Sequence, residues 1–207
     1  LTGVLDLRAL EHSIQELVRR HEALRTTFAV RDGEPVQIIA SALTIPLSVI
    51  DLQPLSEPVR WDEVRRLAGA ETARPFDLAS GPLFRVTLFQ MAAQETILLL
   101  TFHHIVIDAW SATVFYRELG ALYTAFVQQQ PSPLADLPVQ YADFAVWQRQ
   151  WLQGEVLQVQ LDYWQKQLTN APSLLELPTD RPRPDPARTR HPPARGRRDG
   201  GRPANSR

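Results

Sequence analysis

The chain has 207 residues and no cysteine. Disulfides and cysteine-ligated zinc are therefore excluded, and a reducing cytoplasm is the expected compartment. No apolar run approaches the roughly 18 residues of a membrane span. No charged head followed by an apolar stretch opens the chain, so no signal peptide is read there. No initiator Met is present either. The strand-like run Leu1-Thr2-Gly3-Val4-Leu5 reads as the start of a segment cut from a longer polypeptide. A Gly-x-Ser-x-Gly elbow is also missing, which argues against a covalent acyl-enzyme.

What is present suffices for a buried core, since 44% of the residues are apolar. The net charge of −1 conceals two unlike segments. Residues 181–207 hold nine Arg and two acidic residues, while the rest of the chain is acidic. That terminal stretch of Arg, Pro and Gly cannot bury enough surface to offset its ordering entropy, so disorder is expected. Without interleaved aromatics it does not read as a nucleic-acid arm. A shifted reading frame or misplaced terminus explains the abrupt change better.

The remainder alternates helical and strand patterns. Asp6 can cap a helix carrying Leu7, Leu10, Ile14, Leu17 and Val18 at three- and four-residue spacing. Thr26–Val30 and Val36–Ile39 flank an Asp-Gly turn, a hairpin signal. Pro46–Ile50 reads as a strand and Val59–Arg74 as a helix. Leu83–Met91 and Thr96–Phe102 form a second hairpin pattern, the latter apolar enough to predict burial on both faces. Ser111 is the expected cap of a helix over 112–128, followed by helices near 141–152 and 156–168. Tyr141, Phe144, Trp147 and Trp151 share one helical face and are expected to pack in a core. The fold class is α/β (α+β), a two-layer sandwich.

The segment His103-His104-Ile105-Val106-Ile107-Asp108-Ala109-Trp110-Ser111 follows a strand and precedes a helix, where functional side chains concentrate. Three readings are open. Two His and an Asp resemble metal ligands, yet adjacent strand residues point to opposite faces, and no further nearby ligand completes a site. A strand-end His can also be a satisfied polar group. The third reading is general base chemistry: one His held by the core, the other exposed, neutral and able to accept a proton near pH 7.

His103-His104-x-x-x-Asp108-x-Trp110-Ser111 looks like the HHxxxDGWS signature of the condensation domains of nonribosomal peptide synthetases, which the chain resembles. Arg20-His21-Glu22-Ala23-Leu24-Arg25-Thr26-Thr27-Phe28 is similar to that family's RHExLRTxF motif, and Tyr141-Ala142-Asp143-Phe144-Ala145-Val146-Trp147-Gln148 to YxDYAxWQ. Arg74–Leu78, Gly81–Arg85 and Leu175–Pro182 also resemble family sequence. The resemblance covers residues 1–184, which it implies are the N-terminal half of such a domain, with 185–207 as the tail.

The implied fold is the N-terminal lobe of a chloramphenicol acetyltransferase-like enzyme, whose active site lies in a tunnel between two lobes. The implied activity is amide formation between two thioesters carried on the 4'-phosphopantetheine arms of partner carrier domains, with no cofactor bound directly. His104 would be catalytic, by deprotonating or orienting the amine or by stabilising the tetrahedral intermediate. His103 would be structural, and Asp108 would form an ion pair with Arg20 or Arg25. Trp110 and Ser111 favour condensation over epimerisation. Ala109 stands where the pattern has Gly, at a mild cost if positive φ is needed there. Implied partners are peptidyl carrier domains, an adjacent adenylation domain and the C-terminal lobe; no nucleic acid, membrane or metal is implied. A CoA-dependent acyltransferase of the same superfamily and a non-catalytic carrier-docking piece remain as alternatives.

Overall fold

We describe residues 1–172 of a computed structural model of the chain. The Leu175–Pro182 motif and the Arg-rich tail lie outside the described residues. Helix α1 (Leu7–Arg20) begins where the Asp6 carboxylate accepts the Ala9 N–H at 3.0 Å. It buries Leu10, Ile14, Leu17 and Val18 on one side, as the spacing predicts. A 3₁₀ turn, Glu22–Arg25, leads into the antiparallel hairpin β1 (Thr26–Arg31) and β2 (Glu34–Ile39). The turn at its tip places Asp32 and Gly33 at positive φ, the conformation that an Asp-Gly pair accepts.

A second sheet carries the core. Strand β3 (Leu47–Asp51) runs parallel to β4 (Phe84–Ala92), joined through helix α2 (Glu57–Ala73). Strand β5 (Glu95–Phe102) returns antiparallel to β4, giving the order β3-β4-β5. The alternation of β4 sends its side chains to two cores. Phe84, Val86 and Leu88 meet α1 and helix α3 (Ala109–Val127), while Phe89 and Met91 meet Leu52 and Val64. The layered α/β fold expected from the sequence is thus formed, with α1 and α3 on one face of the sheet and α2 on the other. Helices α4 (Tyr141–Trp151) and α5 (Gly154–Leu168) follow. The described residues divide into two units after Leu157, with most of α5 in the second.

Two expectations change. Strand β5 packs Leu98, Leu100 and Phe102 against one core and Ile97 and Leu99 against the other, yet these residues remain half-buried. It is one edge of the sheet among the described residues, β3 being the other, and β4 is the buried strand. Leu1–Leu5 forms no strand, only a bridge between Thr2 and Glu95. Gly3, at φ +106°, interrupts the extension, and Val4 is left exposed.

Phe84 is fully buried, stacked on Phe102 at 4.4 Å and edge-on to Phe115 at 5.6 Å. Phe84→Ala is expected to cost about 3–5 kcal/mol, read as a lower urea midpoint by circular dichroism.

Candidate active site

Strand β5 ends at Phe102 and delivers the two histidines into a turn closed by the Val106 N–H on the His103 carbonyl, 3.1 Å. Val106 is buried and anchors that turn. The histidines separate as adjacent residues at a strand end should. His103 is half-buried, edge-on to Phe76 at 5.9 Å, and its Nδ1 accepts the Ile105 N–H at 3.1 Å. In the neutral ring the proton therefore sits on Nε2. His104 is exposed and its ring makes no hydrogen bond among the described residues. It borders a cavity of about 360 Å³, together with His21, Leu24, Ile105, Asp108, Trp110, Ser111, Phe115 and Tyr141.

Asp108 has a different role from the one expected. Its Oδ1 accepts both the Ser111 N–H at 2.7 Å and the Ser111 hydroxyl at 2.6 Å, capping α3. The cap is thus Asp108, with Ser111 at the third helical position as donor. The Ser111 hydroxyl first, then its N–H, holds the Asp108 carboxyl below its ordinary range. The ion pair with Arg20 or Arg25 does not form. Asp108 is an exposed cap whose lone pairs face Ser111, whereas both guanidiniums are taken up elsewhere. Arg25 binds the Ala40 carbonyl and, at 3.2 Å, Glu22. Arg20 donates to the Ala135 carbonyl at 2.7 Å and reaches Glu118 at 3.4 Å. Ala109 is the first residue of α3 and has no positive φ, so the missing glycine is not a conformational loss.

Residues not singled out in the sequence complete the site. Glu118 of α3 is buried, and its Oε2 lies 2.8 Å from His21 Nε2 as well as near Arg20. Burial pushes the Glu118 carboxyl upward, but its contacts with His21 and then with the Arg20 guanidinium outweigh it and hold the group below its usual value. Gln140 donates to the Arg20 carbonyl at 2.8 Å and accepts the Glu22 N–H at 3.1 Å, tying the start of α4 to this corner. The sequence does carry a signal for Glu118: with 115, 119 and 122 it shares the inward face of α3, where a charge demands a partner.

The aromatic stripe of α4 is not in the core. Tyr141, Phe144, Trp147 and Trp151 are 42–67% exposed and form a ladder with ring centroids 6.0, 5.7 and 5.5 Å apart. Periodicity identifies a shared face, but it does not say what covers that face. Among the described residues no three His, Asp or Glu side chains converge as metal ligands, and no helix is long and apolar enough to cross a membrane.

Glu118→Ala is expected to destabilise the fold by about 3–5 kcal/mol, because it strands a buried guanidinium. Glu118 binds protons more weakly in the folded state than in the unfolded chain. Its stabilisation is therefore complete above the ordinary carboxyl range, about pH 4, and is lost as pH falls through the lower folded value. Urea midpoints across acidic pH should show this loss in the wild type and not in Glu118→Gln. Ala109→Gly is expected to change stability by less than about 1 kcal/mol, and not to raise it, in the same measurement.

A family model described as "Condensation domain" matches residues 1–192. One of the linear gramicidin synthase proteins of Brevibacillus parabrevis is 54% identical over 184 residues, 89% of this chain and 4% of that protein. Phosphinothricin tripeptide synthetase PhsC of Streptomyces viridochromogenes is 44% identical over 181 residues, 87% of this chain and 17% of that protein. The chain thus spans a small part of the length of these relatives. Among solved structures, the X-domain from teicoplanin biosynthesis superposes with a TM-score of 0.76 at 33% identity, over 89% of this chain and 40% of that one. With the family match covering nearly its whole length, the chain belongs to the condensation domain family.

Proposed function

We propose that residues 1–184 form the N-terminal lobe of a nonribosomal peptide synthetase condensation domain and supply the proton-handling wall of an amide-forming site. The observation that carries this reading is the placement of His104. Its ring borders the cavity unbonded, on a loop fixed by buried Val106 and the Asp108 cap. A neutral imidazole so placed can accept the proton that an amine loses on attacking a thioester carbonyl. His103, bonded through Nδ1 to the loop backbone, holds the turn. Trp110 and Tyr141 offer exposed rings at the cavity edge. Arg20 and Arg25 support the site from behind through Glu118 and Glu22.

In this reading the substrates arrive as thioesters on 4'-phosphopantetheine arms of peptidyl carrier domains. A C-terminal lobe forms the opposite wall, and an adenylation domain lies adjacent in the synthetase. The names of the relatives, which are peptide synthetases and synthases, support that context.

The test is a condensation assay with donor and acceptor on carrier proteins, with the second lobe present. His104→Ala should slow amide formation by about 10²–10⁴-fold while leaving carrier binding unchanged. Unaltered turnover in His104→Ala would remove this assignment.

A further inference from the structure

A second imidazole faces the same cavity and is better oriented than the first. His21 Nε2 lies 2.8 Å from Glu118 Oε2. Glu118 is held below its usual value, so it is an ionised acceptor, and the hydrogen between them sits on Nε2. The neutral ring therefore keeps its lone pair on Nδ1, which has no hydrogen-bond partner among the described residues. His21 lines the cavity with a side chain 25% exposed. A carboxylate that fixes the tautomer of an imidazole lining a cavity is the arrangement of an oriented base. Glu118 is fixed in turn by Arg20, so the pair does not depend on solvent for its geometry.

The chemistry of amide formation has room for two bases. An acceptor α-amine, with a pKa near 8, is mostly an ammonium at neutral pH (about one-tenth is free amine at pH 7). It must lose one proton before it can attack and a second as the amide forms. We propose that His21, oriented by Glu118, is a second catalytic residue that takes the first of these protons. This rests on the amide-forming reading above. The ammonium gives a proton to His21 Nδ1, and the free amine attacks the thioester carbonyl. The C–N bond forms and the C–S bond breaks. The second nitrogen proton passes through His104 to the departing sulfur, yielding a thiol, and His21 returns its proton to solvent. The charged and titratable groups around His21 are Glu118 on α3, Arg20 on α1, His104 and Asp108 on the loop, and Tyr141 on α4.

The test uses His21→Gln, whose amide nitrogen can stand where Nε2 stands and keep the bond to Glu118, while nothing replaces Nδ1. Its urea midpoint is measured alongside, and condensation is assayed at pH 7 and pH 9 in wild type, His21→Gln and His104→Ala. The expected result is a loss of about tenfold for His21→Gln at pH 7 that disappears at pH 9, where the acceptor supplies its own free amine. His104→Ala should stay impaired at both. A His21→Gln rate equal to wild type at pH 7, or equally depressed at both pH values, overturns the inference and leaves His104 untouched. Full activity of His104→Ala removes the underlying reading and this one with it. A second measurement needs no variant. In the wild type, kcat/KM at pH 7 should not track the free-amine fraction across acceptors of differing basicity; strict proportionality overturns the proposal.

Discussion

The buried carboxylate of Glu118 joins the end of α1 to α3 in the first unit. A carboxylate placed inside a helix layer loses several kcal/mol of solvation unless cations replace the water. Arg20, the last residue of α1, supplies the cation, and His21, the residue that follows it, adds an N–H donor. This fixes the end of α1 on α3 at one rotational setting. The Arg20 carbonyl then becomes the acceptor for Gln140, and the Glu22 N–H its donor, which places the first turn of α4. Three walls of the cavity thus trace to one buried charge, and the fourth is the loop after β5.

That loop is held in place by different contacts. It leaves the sheet next to β4, whose side chains enter both cores, so the departure point cannot shift without disturbing either. It then spans only a few residues before Asp108 starts α3. Buried Val106 and the Asp108–Ser111 bonds leave His104 as the ring that the loop's own contacts do not occupy.

Much of this architecture is legible in the sequence. The spacing of Leu10, Ile14 and Leu17, the Asp6 cap and the Asp-Gly hairpin each depend on neighbours along the chain, so they can be read there. The histidine loop is legible too, because a strand followed by a capped helix has a strong local pattern. Apart from the Gly3 break in Leu1–Leu5 and the shift of the α3 cap from Ser111 to Asp108, which are local, the misplaced features depend on what lies across space. The apolar run of β5 does not reveal that it lies at an edge. The α4 stripe does not reveal that its face is uncovered. The Arg partner expected for Asp108 rests on resemblance, while the carboxylate that Arg20 meets lies nearly a hundred residues away. His21 sits inside a recognisable motif, but its importance emerges only with Glu118 beside it.

The distribution of indoles has a practical consequence. Trp61, Trp110, Trp147, Trp151 and Trp164 are all 38–79% exposed, whereas the fully buried aromatic rings are phenyls, Phe84 and Phe89. Intrinsic emission from this chain is therefore dominated by chromophores in contact with solvent. It is a poor monitor of core formation and a sensitive one of surface coverage. Trp110 at the cavity edge would respond to an occupant there. The parallel pair Trp147 and Trp151, whose planes lie within 7° of each other, would respond to anything that settles on α4.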